Sequence, residues 1–243
     1  MKENIVELQN QFRNSEPEEL LRFFLTTQRD KIALASSLGV EDQVLTDLIL
    51  KISSLARIFT LDTGRLPQET YALISKTMQH YHMHYQIYVP QTTALEWMES
   101  KFGPDLFYES REYRKCCCRI RKVEPLQRAL KGLMIWITGL RREQGMTRTG
   151  IQMIEWDEVN QLMKINPLAG WTNLQVWQYI KENDVPYNAL YDQGYSSIGC
   201  APCTRAIQSG EDLRAGRWWW EEPEHKECGL HYQEGKLVRG SQS

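Results

Sequence analysis

Between residues 31 and 80 a short apolar run followed by a segment of helical period occurs twice, and this alternation restricts the fold more than any other feature of the chain. KIALA (31–35) suits a buried strand, SSLGVED breaks the pattern, and VLTDLILKI resumes with Val44, Leu45, Leu48, Ile49 and Ile52 at helical spacing. RIFTLD (57–62) repeats the strand, TGRLP makes a turn, and a helix is predicted from about Pro67 to the histidines beyond it. QIYV (86–89) and LMIWIT (133–138) supply two further strands, with helical segments around 92–101 and 118–131 between them. Strands alternating with helices predict an α/β fold whose parallel sheet is covered on both faces.

The flanks are simpler. Ser15 with Glu18 and the intervening Pro17 predicts a capping box opening a helix through LLRFFL. KINPL (164–168) is a last strand or extended segment, and Thr172 caps a helix with Leu174, Val176, Trp177 and Ile180 available for packing. The organisation expected is therefore N-terminal helices in 1–30, an α/β body over 31–210 and a flexible C-terminal tail over 211–243.

Composition excludes several classes. The chain has 243 residues, 42% of them hydrophobic, with 29 Lys and Arg against 31 Asp and Glu. No apolar run approaches the roughly 18 to 20 residues of a membrane span. MKENIVELQNQF has charges and amides where a signal peptide is apolar, so a cytoplasmic protein with no membrane partner is expected. Six cysteines are too few for a disulfide scaffold, and their clustering (Cys116, Cys117, Cys118; Cys200 and Cys203 as CxxC; Cys228 alone) points to metal ligation or thiol chemistry in a reducing compartment. Residues 111–128 concentrate seven basic side chains against two acidic ones, as an anion-binding segment would.

Three constellations carry chemistry. SSLGVED (36–42) follows a strand and opens a helix, the place where small residues let backbone N–H groups approach a phosphate or sulfate; no GxxxxGK[ST] motif occurs. LDTGR (61–65) ends the next strand, where Asp62, Thr63 and Gly64 could meet a nucleoside. Adjacent cysteines plus a CxxC make four soft ligands, suited to zinc or an iron–sulfur cluster, and the divergent directions of adjacent cysteines favour the larger cubane; a redox dithiol at Cys200 and Cys203 is a further reading. Cys228, beside His225, Lys226 and His231, is either an activated thiolate nucleophile or a free thiol. Arg141 and Arg142 in TGLRREQ, with Arg214 and Arg217, have the groups that grip phosphate and sulfate oxygens.

Taken in order, SSLGVEDQ, LDTGR, CCRIRKVEPL, TGLRREQ, IGCAPCTR, GRWWWEE and KECGLH resemble the assimilatory sulfonucleotide reductases of the iron–sulfur type, which act on adenosine 5′-phosphosulfate. The resemblance runs from residue 36 to residue 231. It implies an adenine nucleotide alpha-hydrolase-like fold: a doubly wound, mostly parallel sheet. It implies a [4Fe–4S] cluster on Cys117, Cys118, Cys200 and Cys203, with Cys116 a departure from the family pattern, and Cys228 as the catalytic nucleophile. Substrate binding falls on Ser36, Ser37, Leu38, Gly39, Glu41, Asp42, Leu61, Asp62, Thr63, Gly64, Lys122, Gly139, Arg141, Arg142, Arg214 and Arg217. The implied reaction passes through a Cys228 thiosulfonate to sulfite and AMP, with thioredoxin or a glutaredoxin-like thiol donor as partner in a homo-oligomeric enzyme. The alternatives are the same chemistry on the 3′-phosphorylated nucleotide or on both, a PP-loop RNA-thiolating enzyme, and a non-enzymatic iron–sulfur sensor. The loop lacks the SGGxDS form that ATP cleavage needs, and no nucleic-acid-binding extension occurs.

Overall fold

The computed structural model describes residues 2–145, 148–222, 232–233 and 236–237. The chain divides into two compact units. The first comprises Met1–Thr60, Gln68–Gln86 and Gly132–Ala189, and the second Leu61–Pro67, Ile87–Lys131 and Leu190–Ser243.

The elements of the first unit follow the expected alternation. After α1 (Ile5–Gln11) and α2 (Pro17–Thr27) come β1 (Ile32–Ser36), α3 (Val40–Ile52), β2 (Ile58–Leu61) and α4 (Gln68–Tyr81), and the chain then passes into the second unit within β3 (Gln86–Tyr88). Ile32, Ala33 and Leu34 in β1 are all buried, and successive strand residues face opposite sides, so both faces of that strand are covered. Val44, Leu45 and Ile49 of α3 are fully buried, each contributing about 1.5–3 kcal/mol of apolar burial. Further along lie β4 (Ile135–Ile137), β5 (Ile154–Asp157), β6 (Leu162–Ile165) and the last helix of this unit, Asn173–Glu182. The six strands are ordered β3-β2-β1-β4-β6-β5. β1 pairs in parallel with β2 and β4, β4 in parallel with β6, and β5 antiparallel with β6.

Two local expectations are corrected. Ser15 does not cap α2: Glu16 is the N-cap, in extended conformation with no side-chain cap bond, because Pro17 in the first turn already presets φ and has no N–H to satisfy. The β5 strand had no counterpart in the sequence reading. It forms a hairpin with β6 through a turn in which the buried Asp157 carboxyl accepts the Val159 and Asn160 N–H groups, both at 3.0 Å. Thr172 does cap its helix, and Gln175 completes the capping box by accepting the Thr172 N–H at 2.8 Å.

In the second unit, α5 (Thr92–Phe102) precedes a segment expected as one helix over 118–131. The structure instead has α6 (Arg111–Cys118), a π-helical turn (Arg119–Val123) and α7 (Glu124–Leu130), and the Asn173–Glu182 helix is therefore α8. Ser110 caps α6 by accepting the Tyr113 N–H at 3.1 Å. Pro125 lies in the first turn of α7, directly after the π-helical turn. Among the described residues no helix is long and apolar enough to cross a membrane.

Candidate active site

In the first unit the site is built on the loop between β1 and α3. β1 ends at Ser36, whose Oγ accepts the Leu38 N–H at 3.2 Å. Leu38 has a left-handed φ of 64° and is only 3% exposed, so its buried side chain and the Ser36 bond hold a backbone conformation that costs about 1–3 kcal/mol for a non-glycine residue. Gly39 is the N-cap of α3, and the first turn carries Glu41 and Asp42. Asp42 is buried and reaches back so that Oδ2 accepts both the N–H and the hydroxyl of Ser37 at 2.6 Å. Burial pushes its carboxyl up to about 6, the Ser37 bonds oppose the shift, and neighbouring Glu41 adds to it.

The loop after β4 meets this turn. At Gly139 a Cβ would stand 2.4 Å from Asp42 Oδ1 and 2.9 Å from Glu41 Cβ, so only glycine fits. Arg141, 2% exposed, directs Nε and Nη2 to Glu41 Oε1 at 3.0 and 2.7 Å and Nη1 to the Trp171 carbonyl at 3.1 Å. Its donors are thus committed within the protein. Arg142 is exposed and donates from Nε to the Ile151 carbonyl at 2.9 Å.

In the second unit the cysteines come together. Cys117 and Cys203 belong to a buried cluster with Met98, Leu106, Phe107, Ile120 and Trp218, and Cys116, Cys118 and Cys200 pack against it. Cys116–Cys118 close α6, and the π-helical turn that follows is the kind of local register change often found at functional sites. Cys200 and Cys203 embrace a single 3-10 turn, the Cys203 N–H reaching the Cys200 carbonyl at 2.9 Å. LDTGR lies against this set: Thr63 Oγ1 is 3.2 Å from Cys200 Sγ, the Ala201 N–H donates to the Arg65 carbonyl at 2.8 Å, and Asp62 Oδ1 accepts the Gly64 N–H at 2.8 Å. Leu61, before it, is half-buried.

Three buried guanidinium groups accompany the thiols. Arg121 lies by Cys117, donates from Nη1 to the Thr63 carbonyl at 2.7 Å and pairs with Glu99. Arg114 lies by Cys118 and forms a bidentate pair with Glu221 at 2.6 and 2.7 Å. Arg217 donates from Nε to the Cys203 carbonyl at 3.3 Å, and it and Arg114 each stand 4.7 Å from the centre of the Trp218 ring. Burial raises the Cys117 thiol, with Arg121 opposing, and pushes Cys203 up to about 12, with Cys200 adding to the rise. Lys122 and Arg214 are half-buried. Cys228 and its basic neighbours lie outside the described residues. Sequence reasoning did not single out Arg114, Glu221, Glu99 or Trp218 as neighbours of the thiols; the basic run at 111–128 and the GRWWWEE stretch were the only signals.

An open, mostly parallel α/β sheet with a strand–loop–helix turn of this kind in one unit, and gathered thiols in the other, define an α/β protein with a cysteine-rich second unit. The fold is shared with Candida glabrata FMN adenylyltransferase, which is 15% identical with a TM-score of 0.53 over 92% of this chain and 76% of that one. A profile of the phosphoadenosine phosphosulfate reductase domain matches residues 31–206, and the chain belongs to that family. It is 56% identical to the adenosine 5′-phosphosulfate reductase of Allochromatium vinosum over 84% of this chain and 80% of that protein, and 50% identical to that of Burkholderia cepacia over 84% and 82%. The crystal structure of phosphoadenylyl-sulfate reductase from Candida auris, in complex with phosphate, superposes with a TM-score of 0.73 at 31% identity, covering 85% of this chain and 98% of that one.

Proposed function

We propose that this chain reduces adenosine 5′-phosphosulfate to sulfite and AMP in assimilatory sulfate reduction. The observation that carries the reading is the gathering of the thiols and three buried guanidinium groups in one unit of a chain that belongs to this reductase family. The relatives at 50 and 56% identity are named for the 5′-phosphosulfate, whereas the structure named for the 3′-phosphorylated nucleotide is 31% identical, which favours the former as substrate.

The donor set suits a [4Fe–4S] cluster on Cys117, Cys118, Cys200 and Cys203. The thiols share one apolar cluster, with the guanidinium groups of Arg114, Arg121 and Arg217 beside them. The buried N–H groups of Arg121 Nε and Trp218 Nε1 have no hydrogen-bond partner among the described residues, and sulfur acceptors beside the thiols would satisfy them. When bound, such a cluster would supply a fixed local charge distribution, since the dithiol donor already provides both electrons.

Cys228 in the 211–243 tail is the nucleophile of this reading. Its thiolate attacks the sulfate sulfur, the bond from sulfur to the bridging oxygen breaks, and AMP leaves with the electron pair. A dithiol partner of thioredoxin type then attacks the Cys228 sulfur, sulfite leaves with the electron pair of the S–S bond, and the second thiol closes a disulfide. Sulfur passes from S(VI) to S(IV) as the dithiol is oxidised. The basic groups Lys122, Arg142, Arg214 and Arg217 counter repulsion between thiolate and sulfate. A reducing cytoplasm suits this chemistry.

The test is Cys228→Ser with adenosine 5′-phosphosulfate. The variant keeps the iron content and AMP affinity of the wild type and releases no sulfite. Wild type incubated with substrate and no dithiol gains one sulfonate on the Cys228 peptide, and modification of a Cys116 peptide instead refutes the assignment. Equal kcat/KM for the 5′-phosphosulfate and its 3′-phosphorylated form rejects the substrate preference.

A further inference from the structure

We propose that Asp42 is a positioning residue: its buried carboxyl ties the turn after β1 to the loop after β4 and thereby sets the anion-binding surface, while itself touching no substrate. The inference rests on the nucleotide-binding reading above and departs from the assignment of Asp42 as a substrate contact.

The geometry supports this division of labour. Oδ2 is filled by two donors of Ser37, N–H and O–H, both at 2.6 Å. Oδ1 faces Gly139, whose backbone N–H also donates to the carboxyl, and the approach is so close that a Cβ at Gly139 would lie 2.4 Å from it. The side chain is 6% exposed. A second tie, one residue earlier, runs parallel: Glu41 Oε1 receives two donors of Arg141. Both carboxylates in the first turn of α3 are therefore engaged with residues 139–141, and neither is directed to a ligand through a free oxygen pair. A carboxylate facing a phosphosulfate would repel it; one sealed between two backbone segments orients their N–H groups instead.

The charged and titratable groups around Asp42 are few. Glu41 of α3 raises it, Arg141 is neutralised on Glu41, and the buried phenol of Tyr85, ahead of β3, completes the surroundings. Burial as the leading cause of its raised carboxyl agrees with an enclosed strut.

Asp42→Asn and Gly139→Ala break the tie from opposite sides. The asparagine keeps one acceptor for Ser37 but sets its NH₂ group against a backbone N–H on the other side, and the alanine methyl drives the carboxyl away. Hydrogen exchange monitored on the full-length protein is expected to speed up in residues 138–142 by about tenfold or more in both variants, with β1 and β4 unchanged. AMP affinity, by calorimetry, and KM for adenosine 5′-phosphosulfate are expected to weaken by about tenfold while kcat stays within about threefold. Unchanged exchange at 138–142 in Asp42→Asn overturns the proposal. So does a fall in kcat with KM intact, which marks a group acting on the reacting atoms. Failure of the wild type to bind AMP overturns the nucleotide reading instead, and the exchange measurement then still decides whether Asp42 joins the two loops.

Discussion

Glu221→Gln should be among the most damaging conservative substitutions in this protein. Glu221 is 8% exposed and accepts two hydrogen bonds, at 2.6 and 2.7 Å, from an Arg114 guanidinium that is 1% exposed. The amide retains one acceptor but loses the charge and sets its NH₂ against a guanidinium N–H. With unit charges about 4 Å apart and an effective dielectric near 20, the lost attraction is about 4 kcal/mol, and breaking one side of a buried pair typically costs about 3–5 kcal/mol. Because the bond joins positions 107 apart in sequence, its loss also frees the segment bearing Trp218 from α6. At roughly 2–4 °C per kcal/mol for a chain of this size, the thermal midpoint should fall by about 6–20 °C. Urea denaturation followed by tryptophan fluorescence provides the free energy. The double variant Arg114→Met with Glu221→Leu should recover much of the loss, since desolvation of two charges disappears with their attraction. A single-variant cost below about 1 kcal/mol, or a double variant no better than the single one, would refute the reasoning.

Stability should depend on pH through Asp42. Its folded carboxyl is raised from 3.8 to about 6, so the native state binds the proton more tightly than the unfolded chain; stability is highest below about pH 4 for this group and falls by about 3 kcal/mol as pH rises to 6 and just beyond, a slope that Asp42→Asn should remove from urea midpoints. Gly216→Ala should destabilise by about 2 kcal/mol or more, because the new Cβ would lie 2.3 Å from the Arg205 carbonyl oxygen and backbone must move; an unchanged melting temperature contradicts this. Cys117→Ser, Cys118→Ser, Cys200→Ser and Cys203→Ser should each lose the iron chromophore, whereas Cys116→Ser keeps it; equal iron loss in the Cys116 variant shifts the ligand pair by one residue.

The strand and helix alternation over 31–138, the turn after β1, the CxxC segment and the Thr172 cap were legible in the chain because each depends on neighbours a few residues apart: periodicity, caps and turn chemistry are local. The division of 118–131 by a π-helical turn was not, since apolar spacing alone does not register a one-residue slip in the hydrogen-bond ladder. β5 was missed for a related reason: IEWD becomes a strand through pairing with β6 and the Asp157 turn rather than through its own composition. Basic residues were visible in sequence, but not their partners. Arg141 and Thr63 stand out in the sequence, but not the partners the fold gives them: Glu41, 100 positions from Arg141, and Cys200, 137 positions from Thr63. Hydrophobic patterning decides which face of an element turns inward, whereas the pairing of buried charges and thiols follows from distances that exist only once the strands and loops have been assembled.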